Sequence, residues 1–493
     1  MARKASQLAR PMSAVFLWFF MTATAASAQD MARRLFDAHS IYKESALTHR
    51  RFKHSDMVPL LDSLRNQAPL TITQIGASLE KRAIYQVKAG TGPINVLLWS
   101  QMHGDEATAT MALFDLFRFL SADGDAFDTL RQAILSKLTL YAVPMLNPDG
   151  AERFQRRTAS DIDMNRDALR LQTPEGALLK NLQQTLKPLV GFNLHDQNPR
   201  YSVGNTGKQA VVSFLATAYD QARSVNEVRR RSMQLIVGMN RALQQFVPGQ
   251  VARYDDEFEP RAFGDNIQKW GTTLVLIESG GYKGDPEKMI IRQLNFVAIL
   301  TALQALTDDS YRQESPADYA AIPENGRTLF DVLIRNATTL RNGRPVRVDV
   351  GINRYEVNTD KARQFRYRSV VEEIGDLSTF YGLDEIDATG LTLTPAGVHG
   401  SPVASEAELR QLDLDSLRQQ GTLLVRTTSA RAVAPDLPVH VMRTAQVPAK
   451  PLVLGQVPTF LLKEGDQIRY WFVNGFWTEG PRFTNTERFG VTE

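Results

Sequence analysis

The sequence of 493 residues contains no cysteine. This absence excludes disulfide bonds and thiolate ligands, so the fold must be stabilised by burial of its core, and any metal ion must be bound by histidine and carboxylate side chains. Histidine is also scarce, with seven residues in the whole sequence, so few side chains can serve as nitrogen ligands. The length favours two or more domains.

The sequence also has little net charge, and its basic excess comes from its first residues. The 57 lysine and arginine residues outnumber the 54 acidic ones by three, and three basic residues fall within positions 1–10, ahead of the apolar run Met12–Ala23. Small residues at positions 26–28 complete the pattern of a cleaved secretory signal peptide. Without that segment the charges balance, which argues against a nucleic-acid partner. We expect a signal peptide over residues 1–28 and an exported bacterial protein, periplasmic or secreted, that has no membrane association after cleavage.

A stretch of ten residues, Trp99–Thr108 (WSQMHGDEAT), contains the first candidate for metal binding. The apolar run Ile94–Leu98 precedes it and apolar residues at helical spacing follow it, which predicts a strand, a turn and a helix. His103 and Glu106 are three positions apart on this turn, so both side chains can reach one ion at about 2 Å. The same spacing also occurs in solvated pairs, so further ligands must decide the assignment.

Two further apolar runs end in residues of the same chemistry. Residues 189–194 (LVGFNL) precede His195, and residues 273–277 (TLVLI) precede Glu278. Because open α/β sheets bind ligands at their strand ends, we expect these side chains to meet. An NPDG turn and a group of charged and amide residues lie between His103 and His195: Asn147–Gly150, Arg156, Asp163, Asn165 and Arg166.

Taken together, these motifs resemble the zinc carboxypeptidases of the carboxypeptidase A type over about Leu70–Leu306. The resemblance implies an α/β fold with a mixed, mostly parallel, doubly wound sheet and helices on both faces. It also implies one zinc ion per catalytic domain, bound by His103, Glu106 and His195. Three protein ligands leave the open position that a hydrolytic zinc site requires.

The resemblance further implies catalytic roles. Glu278 corresponds to the carboxylate that acts as general base and then general acid on a zinc-bound water. Asp163 corresponds to the acceptor that orients a zinc-binding histidine through its other ring nitrogen. Arg156 corresponds to the cation that stabilises the oxyanion, although Arg153 and Arg157 are close enough for a different alignment.

Substrate recognition is implied at a second group of positions. Asn165 and Arg166 match the pair that clamps the terminal carboxylate, a role that suits the planar fork of arginine. Tyr254 is nearest to the spacing of the substrate-loop tyrosine. The family lines its side-chain pocket with the segment that here contains Phe263 and Asp265. Asp265 favours basic residues and Phe263 favours apolar ones, so the side-chain preference stays open.

Composition divides the chain into domains. We predict a catalytic domain over residues 29–308 and a linker rich in turn formers over residues 309–327. Beyond it, short strand-like runs alternate with turns over residues 328–493. These runs predict a C-terminal β-rich accessory domain, expected to be a small β-sandwich.

The resemblance implies an exported zinc-dependent carboxypeptidase that hydrolyses the C-terminal peptide bond of peptides with a free C-terminus. Two alternatives stay open: a carboxypeptidase or amidase of cell-wall peptides with the same chemistry, and a zinc deacylase of N-acyl amino acids. A binding module that has lost its metal is disfavoured, because all three ligands and Glu278 are present.

Overall fold

The computed structural model describes four stretches of the chain: residues 30–429, 436–443, 452–484 and 490–492. The predicted signal peptide over residues 1–28 lies outside the described residues. Two helices lead into the first sheet, α1 over residues 30–42 and α2 over His54–Leu64.

The first sheet is mixed and has eight strands. Its strands are β1 Leu70–Ala77, β2 Ala83–Ala89, β3 Ile94–Ser100, β4 Leu138–Val143, β5 Val190–Asp196, β7 Val212–Leu215, β8 Val251–Arg253 and β9 Thr273–Ser279, with the short β6 Ser202–Val203 outside it. The spatial order is β1-β2-β4-β3-β5-β9-β7-β8. β4, β3, β5 and β9 run parallel, whereas β1, β2 and β7 run antiparallel to a neighbour. The carboxyl ends of the parallel strands therefore meet at one edge.

Helices cover both faces of this sheet. They are α3 Thr108–Ser121, α4 Asp128–Lys137, α5 Pro148–Arg153, α6 Pro174–Leu186, α7 Glu227–Leu243, α8 Phe263–Lys269 and α9 Met289–Thr307. In β3, Val96 and Leu98 pack in a core with α3, α7 and α9, whereas Leu97 and Trp99 pack in a second core with α6 and α8. Side chains alternate along a strand, so both faces are buried, which explains the near-continuous apolar runs of the central strands. The predicted α/β fold is confirmed.

Helix α9 has the length and composition of a membrane-spanning helix, and no other helix in the described part of the chain does. Most of its residues are buried, and it packs against α3 and α7. Arg292 in its second turn is fully buried, and its guanidinium donates to both oxygens of Asp115 on α3, at 2.7 and 2.5 Å. Helix α9 therefore packs as a core helix of the α/β domain.

The C-terminal part contains two sheets. The larger one is formed by β11 Leu329–Arg341, β12 Arg344–Thr359, β13 Gln364–Gly375, β14 Tyr381–Asp387, β15 Thr392–Pro395, β19 Phe460–Glu464, β20 Gln467–Val473 and β21 Phe476–Thr478. The smaller one is parallel and is formed by β16 Gly397–Val398, β17 Thr422–Arg426, β18 His440–Met442 and β22 Val491–Thr492. The predicted β-rich domain is confirmed.

The two sheets pack on each other, and the small β-sandwich stays a prediction. Leu424 of the smaller sheet packs against Leu461 and Trp471 of the larger sheet. Its neighbour Val425 packs in another cluster with Leu409 of the short helix α11, Glu406–Gln411. A second short helix, α12, follows at Leu414–Gln419. The smaller, parallel sheet therefore packs on the larger sheet through one face and is covered by a helix on its other face.

The larger sheet also contains a hairpin longer than the short strands that the sequence predicts. β12 and β13 have 16 and 12 residues and pair antiparallel from Asp349–Gly375 to Thr359–Gln364. In its outer part apolar and polar residues alternate, with apolar ones at Tyr355, Val357, Phe365 and Tyr367. This part of the hairpin contacts the α/β domain through Glu356, Asn358 and Phe365.

The segment predicted as a linker, residues 309–327, packs on the α/β domain. It contains a 3₁₀ turn at Ser310–Gln313, helix α10 at Pro316–Ala320 and strand β10 at Asn325–Gly326, which pairs with β6. Tyr319 of α10 is buried, and its hydroxyl accepts a bond from the backbone N–H of Ala216 at 3.1 Å. This segment is therefore ordered surface structure, while the exact domain boundaries stay a prediction.

Candidate active site

Three side chains from two strand ends meet at the carboxyl edge of the first sheet. His103 follows β3, His195 is the second-to-last residue of β5, and Glu106 lies between β3 and α3. The ring Nδ1 atoms of His103 and His195 lie 2.8 and 2.7 Å from the two carboxylate oxygens of Glu106. One ligand atom from each residue lies within 4.8 Å of the others, and all three residues are buried. Two imidazoles and a carboxylate are the donor set of a hydrolytic zinc site, so the residues present fit that ion.

The turn that carries His103 is built on close backbone packing. A Cβ atom at Gly104 would lie 2.0 Å from the carbonyl carbon of Gly150, so only glycine fits there. Asn147 connects the two segments, because its Oδ1 accepts from the N–H of Gly150 at 2.9 Å and its Nδ2 donates to the Met102 carbonyl at 3.2 Å. The NPDG turn thus caps α5 and supports the His103 turn.

A second set of contacts orients His103. Its Nε2 lies 3.1 Å from Asp163 Oδ1, which leaves Nδ1 directed at Glu106. Arg156 extends over the same group, with Nη1 3.2 Å from Glu106 Oε1 and Nε donating to Asp163 Oδ2 at 3.1 Å. The structure therefore brings Asp163 and Arg156 to the three candidate ligands, as the sequence predicts for the acceptor and the cation of the site.

Charges in this cluster shift its ionisation. Burial lowers the pKa of His103, but the carboxylates of Glu106 and Asp163 outweigh that effect and raise the pKa to about 9. Burial alone would raise the pKa of Glu106, and the two imidazoles instead hold it well below its usual range. Burial lowers the pKa of His195. The cluster therefore holds an ionised carboxylate between two imidazoles, an arrangement suited to binding a cation.

Glu278 lies beside this cluster. It is paired in register with His195 on the parallel strands β5 and β9, so both side chains leave the same face of the sheet. It is 8% exposed. Burial, and then the negative charge of Glu106, raise the pKa of Glu278 well above its usual range. A buried carboxyl group with a raised pKa beside the candidate ligands is suited to proton transfer.

Arg166 lies three residues after Asp163 and is already paired with a carboxylate. Its Nε lies 3.3 Å from Glu259 Oε2, and Glu259 is also bound by the guanidinium of Arg261 at 3.0 and 2.8 Å. The neighbouring Asn165 accepts a bond from the backbone N–H of Phe263 at 2.9 Å. The sequence does not predict the contact of Glu259 with Arg166, because the two residues are distant in the chain.

Tyr254 is near Glu278, as the resemblance implies for a substrate-loop tyrosine. Burial and the adjacent charge of Glu278 raise its pKa, and its ring centroid lies 6.1 Å from that of Tyr201. Its backbone N–H donates to the Phe214 carbonyl at 2.8 Å, which extends the edge of the sheet. The structure thus places Tyr254 at the cleft, and its role there stays a prediction.

The sequence analysis missed a support behind His195. The backbone N–H of Asp196 donates to Glu106 Oε2 at 3.2 Å, and the Asp196 side chain accepts from Thr108 at 2.6 Å and from Lys288 at 2.9 Å. Lys288 is 6% exposed and also donates to the Ser279 carbonyl at 3.0 Å. The only signal was the position of Asp196 directly after a candidate ligand.

Part of the chain matches a known protein family. Residues 57–190 match the zinc carboxypeptidase family (peptidase M14). Over these residues the chain is similar to zinc carboxypeptidases. The match includes His103, Glu106 and Asp163 and ends before His195, which the sheet brings to the same cluster.

Curated proteins similar to part of the chain include two fungal carboxypeptidases. The probable carboxypeptidase 2 of Trichophyton verrucosum (strain HKI 0517) is 26% identical over 135 residues, which is 27% of this chain and 24% of the relative. The carboxypeptidase 2 of Trichophyton tonsurans is 24% identical over 139 residues, which is 28% of this chain and 25% of the relative. The chain therefore spans about a quarter of the length of these relatives.

Solved structures similar to the chain include two bacterial metallo-carboxypeptidases. The one from Burkholderia cenocepacia has a TM-score of 0.43 and 16% identity, over 52% of this chain and 70% of that chain. The one from Pseudomonas aeruginosa, in complex with (2-guanidinoethylmercapto)succinic acid, has a TM-score of 0.42 and 18% identity, over 52% and 70% of the two chains.

Proposed function

We propose that the protein is a zinc-dependent carboxypeptidase that removes the C-terminal residue of peptides. The observation that carries this proposal is the meeting of His103, Glu106 and His195 at one sheet edge, with Glu278 paired in register to His195. The match of residues 57–190 to the zinc carboxypeptidase family supports the same reaction class.

In this proposal each residue has one task. His103, Glu106 and His195 would hold one zinc ion, which when bound supplies a Lewis acid that polarises the scissile carbonyl and acidifies water. Glu278 takes a proton from the attacking water and returns it to the leaving amine. Arg156 places its guanidinium beside the ligands, where negative charge develops on the carbonyl oxygen. Asp163 keeps His103 in the ligand orientation.

Substrate binding is assigned to the loop side of the cleft. Arg166 and Asn165 would bind the terminal carboxylate of the substrate, and Tyr254 would close over the last residue from the edge of the sheet. The half-exposed Arg166, with its planar fork, is suited to a carboxylate ligand. This arrangement selects a free chain end.

The decisive experiment measures metal content and product together. Purified protein should contain one zinc per chain and release single C-terminal residues from a mixed peptide library. His195→Ala should lose the zinc and the activity, whereas His399→Ala, which removes a histidine of the C-terminal domain, should keep both. If His195→Ala binds as much zinc as the wild type, the ligand assignment is wrong. Release of acyl groups instead of C-terminal residues would favour the alternative function, a deacylase of N-acyl amino acids.

We also propose that the protein is exported. The basic start, the apolar run Met12–Ala23 and the small residues at 26–28 support cleavage after Ala28. N-terminal sequencing of protein from the periplasmic or secreted fraction tests this. A mature chain that begins at Gln29 is expected, and retention of Met1 in the cytoplasm would contradict export.

A further inference from the structure

The long hairpin β12–β13 of the C-terminal domain reaches the segment that presents Arg156. The segment begins at Phe154, which follows α5 with a backbone φ of +48° and is 8% exposed. Phe154 is two residues before Arg156 in the chain. The position of Phe154 therefore influences where the guanidinium of Arg156 lies beside Glu106.

An aromatic and cationic stack fixes Phe154 to the hairpin. The guanidinium carbon of Arg51 lies 4.2 Å from the ring centroid of Phe154 and 4.1 Å from that of Phe365 in β13. Arg51 is 2% exposed and Phe365 is 5% exposed. Cation–π contacts are strongest when desolvated, so this stack is a firm connection between the two domains.

Polar contacts repeat the same connection. Asn358 in β12 donates from Nδ2 to the Phe154 carbonyl and accepts at Oδ1 from Arg51 Nε, both at 3.3 Å. Lys53, 2% exposed, donates to the Glu152 carbonyl of α5 at 2.6 Å and to the Ala362 carbonyl at the hairpin tip at 3.2 Å. The C-terminal end of α5 is thus connected to the C-terminal domain at two nearby backbone carbonyls, those of Glu152 and Phe154.

We propose that the C-terminal domain is a working part of the catalytic site, with Asn358 and Phe365 as positioning residues that set the place of Arg156. This inference rests on the proposed function, in which Arg156 stabilises charge on the carbonyl oxygen. That charge exists only in the transition state, so loss of the position lowers kcat and leaves KM nearly unchanged.

Two variants and one control test the proposal. Asn358→Asp keeps the acceptor for Arg51 but removes the donor to Phe154, and Phe365→Leu keeps an apolar side chain but removes the ring over Arg51. Each should lower kcat by about fivefold to tenfold, as expected for one such contact, with KM within about twofold. Arg363→Ala removes the half-exposed hairpin ion pair to Asp56. It should leave kcat unchanged.

A double-mutant cycle separates positioning from general damage. In an Arg156→Ala background, Asn358→Asp and Phe365→Leu should cause no further loss, because the residue that they position is gone. If they lower kcat by the same factor in that background, or if Arg363→Ala is as harmful as they are, the proposal is overturned.

A readout without catalysis keeps the test independent of the proposed function. Amide hydrogen exchange of the metal-free protein reports the segment directly, because Gln155 N–H bonds to the Gly150 carbonyl and Thr158 N–H bonds to the Ile162 carbonyl, each at 3.0 Å. Both variants should speed exchange over residues 150–162 and not over β3. Unchanged exchange there overturns the positioning role, whereas absent peptide hydrolysis by the zinc-loaded wild type overturns the proposed function alone.

Discussion

The candidate ligands and the candidate substrate-binding residues share one cleft but are built differently. His103 and His195 are each 2% exposed and lie at or directly after the ends of buried strands. The side chain of Arg166 is 38% exposed and lies at the end of a 3₁₀ turn. We infer that the side of the site built from strand ends is rigid. The side built from loops, which contains Arg166, can adapt to a substrate.

This difference has an electrostatic counterpart. On the rigid side, the imidazoles of His103 and His195 hold the pKa of Glu106 well below its usual range, whereas the pKa of Glu278 is raised. On the loop side, Arg166 is balanced by Glu259, a carboxylate of the protein itself. We infer that metal binding and proton transfer depend on fixed geometry. Substrate binding depends on Arg166 exchanging the carboxylate of Glu259 for that of the substrate. The following predictions test each side of this comparison.

Glu278→Gln tests the rigid side and has the largest expected effect. The amide has nearly the same shape but cannot accept the proton, so kcat should fall by about two to four orders of magnitude. Zinc content and the thermal unfolding midpoint should stay those of the wild type, because Glu278 is not a candidate ligand. Turnover near the wild-type value would remove Glu278 from the mechanism.

Arg166→Ala tests the loop side. In the wild type, a peptide with an amidated C-terminus should have a kcat/KM about tenfold to a hundredfold below that of the matched free acid, because the arginine loses its charged partner. In Arg166→Ala that difference should disappear. Equal kcat/KM for acid and amide in the wild type would instead point to an endopeptidase or a deacylase.

The same contrast explains what the sequence predicts. His103, His195 and Glu278 are each preceded by an apolar run that ends in a turn or loop, so a local pattern marks both the strand and the functional residue. Parallel strands then bring their carboxyl ends to one edge. These local signals indicate the strands and their ends, whereas the ligand set and the doubly wound sheet are implied by the resemblance to zinc carboxypeptidases.

Contacts between distant segments leave no such pattern. Lys53 and Ala362, which meet at the hairpin tip, are 309 residues apart, and Glu259 meets Arg166 from another loop. The hairpin β12–β13 contacts the α/β domain through Glu356, Asn358 and Phe365, and no local pattern indicates which segment these residues meet. The packing of the C-terminal domain and the partner of Arg166 therefore require the folded structure.

The side-chain preference can be tested through the pH dependence of binding. Burial raises the pKa of Asp265 to about 7, so its carboxyl group is mostly neutral at pH 6 and mostly charged at pH 8. If Asp265 faces the last side chain of the substrate, KM for a lysine-terminated peptide should fall by up to about tenfold over that range. KM for a leucine-terminated peptide should not, and Asp265→Asn should remove the dependence. A lysine-terminated KM that is flat with pH would leave Phe263 as the residue that defines the pocket.

Glu259→Gln has the smallest expected effect and addresses the loop side most directly. One carboxylate oxygen of Glu259 contacts Arg166, and both oxygens of Glu259 accept bonds from Arg261. A substrate carboxylate must therefore compete with the carboxylate of Glu259 for the guanidinium of Arg166. Glutamine keeps an acceptor of the same length but removes the charge, which should lower KM for free-acid peptides by about twofold to fivefold, the range of one exposed ion pair. Glu257→Gln, the same change at an exposed position two residues away, should leave KM as it is. The decrease should vanish for amidated peptides and in an Arg166→Ala background, because both remove one member of the competition. A rise in KM in Glu259→Gln would show the opposite relation, in which Glu259 holds Arg166 in the binding position, and the loop side would then be as rigid as the ligand cluster.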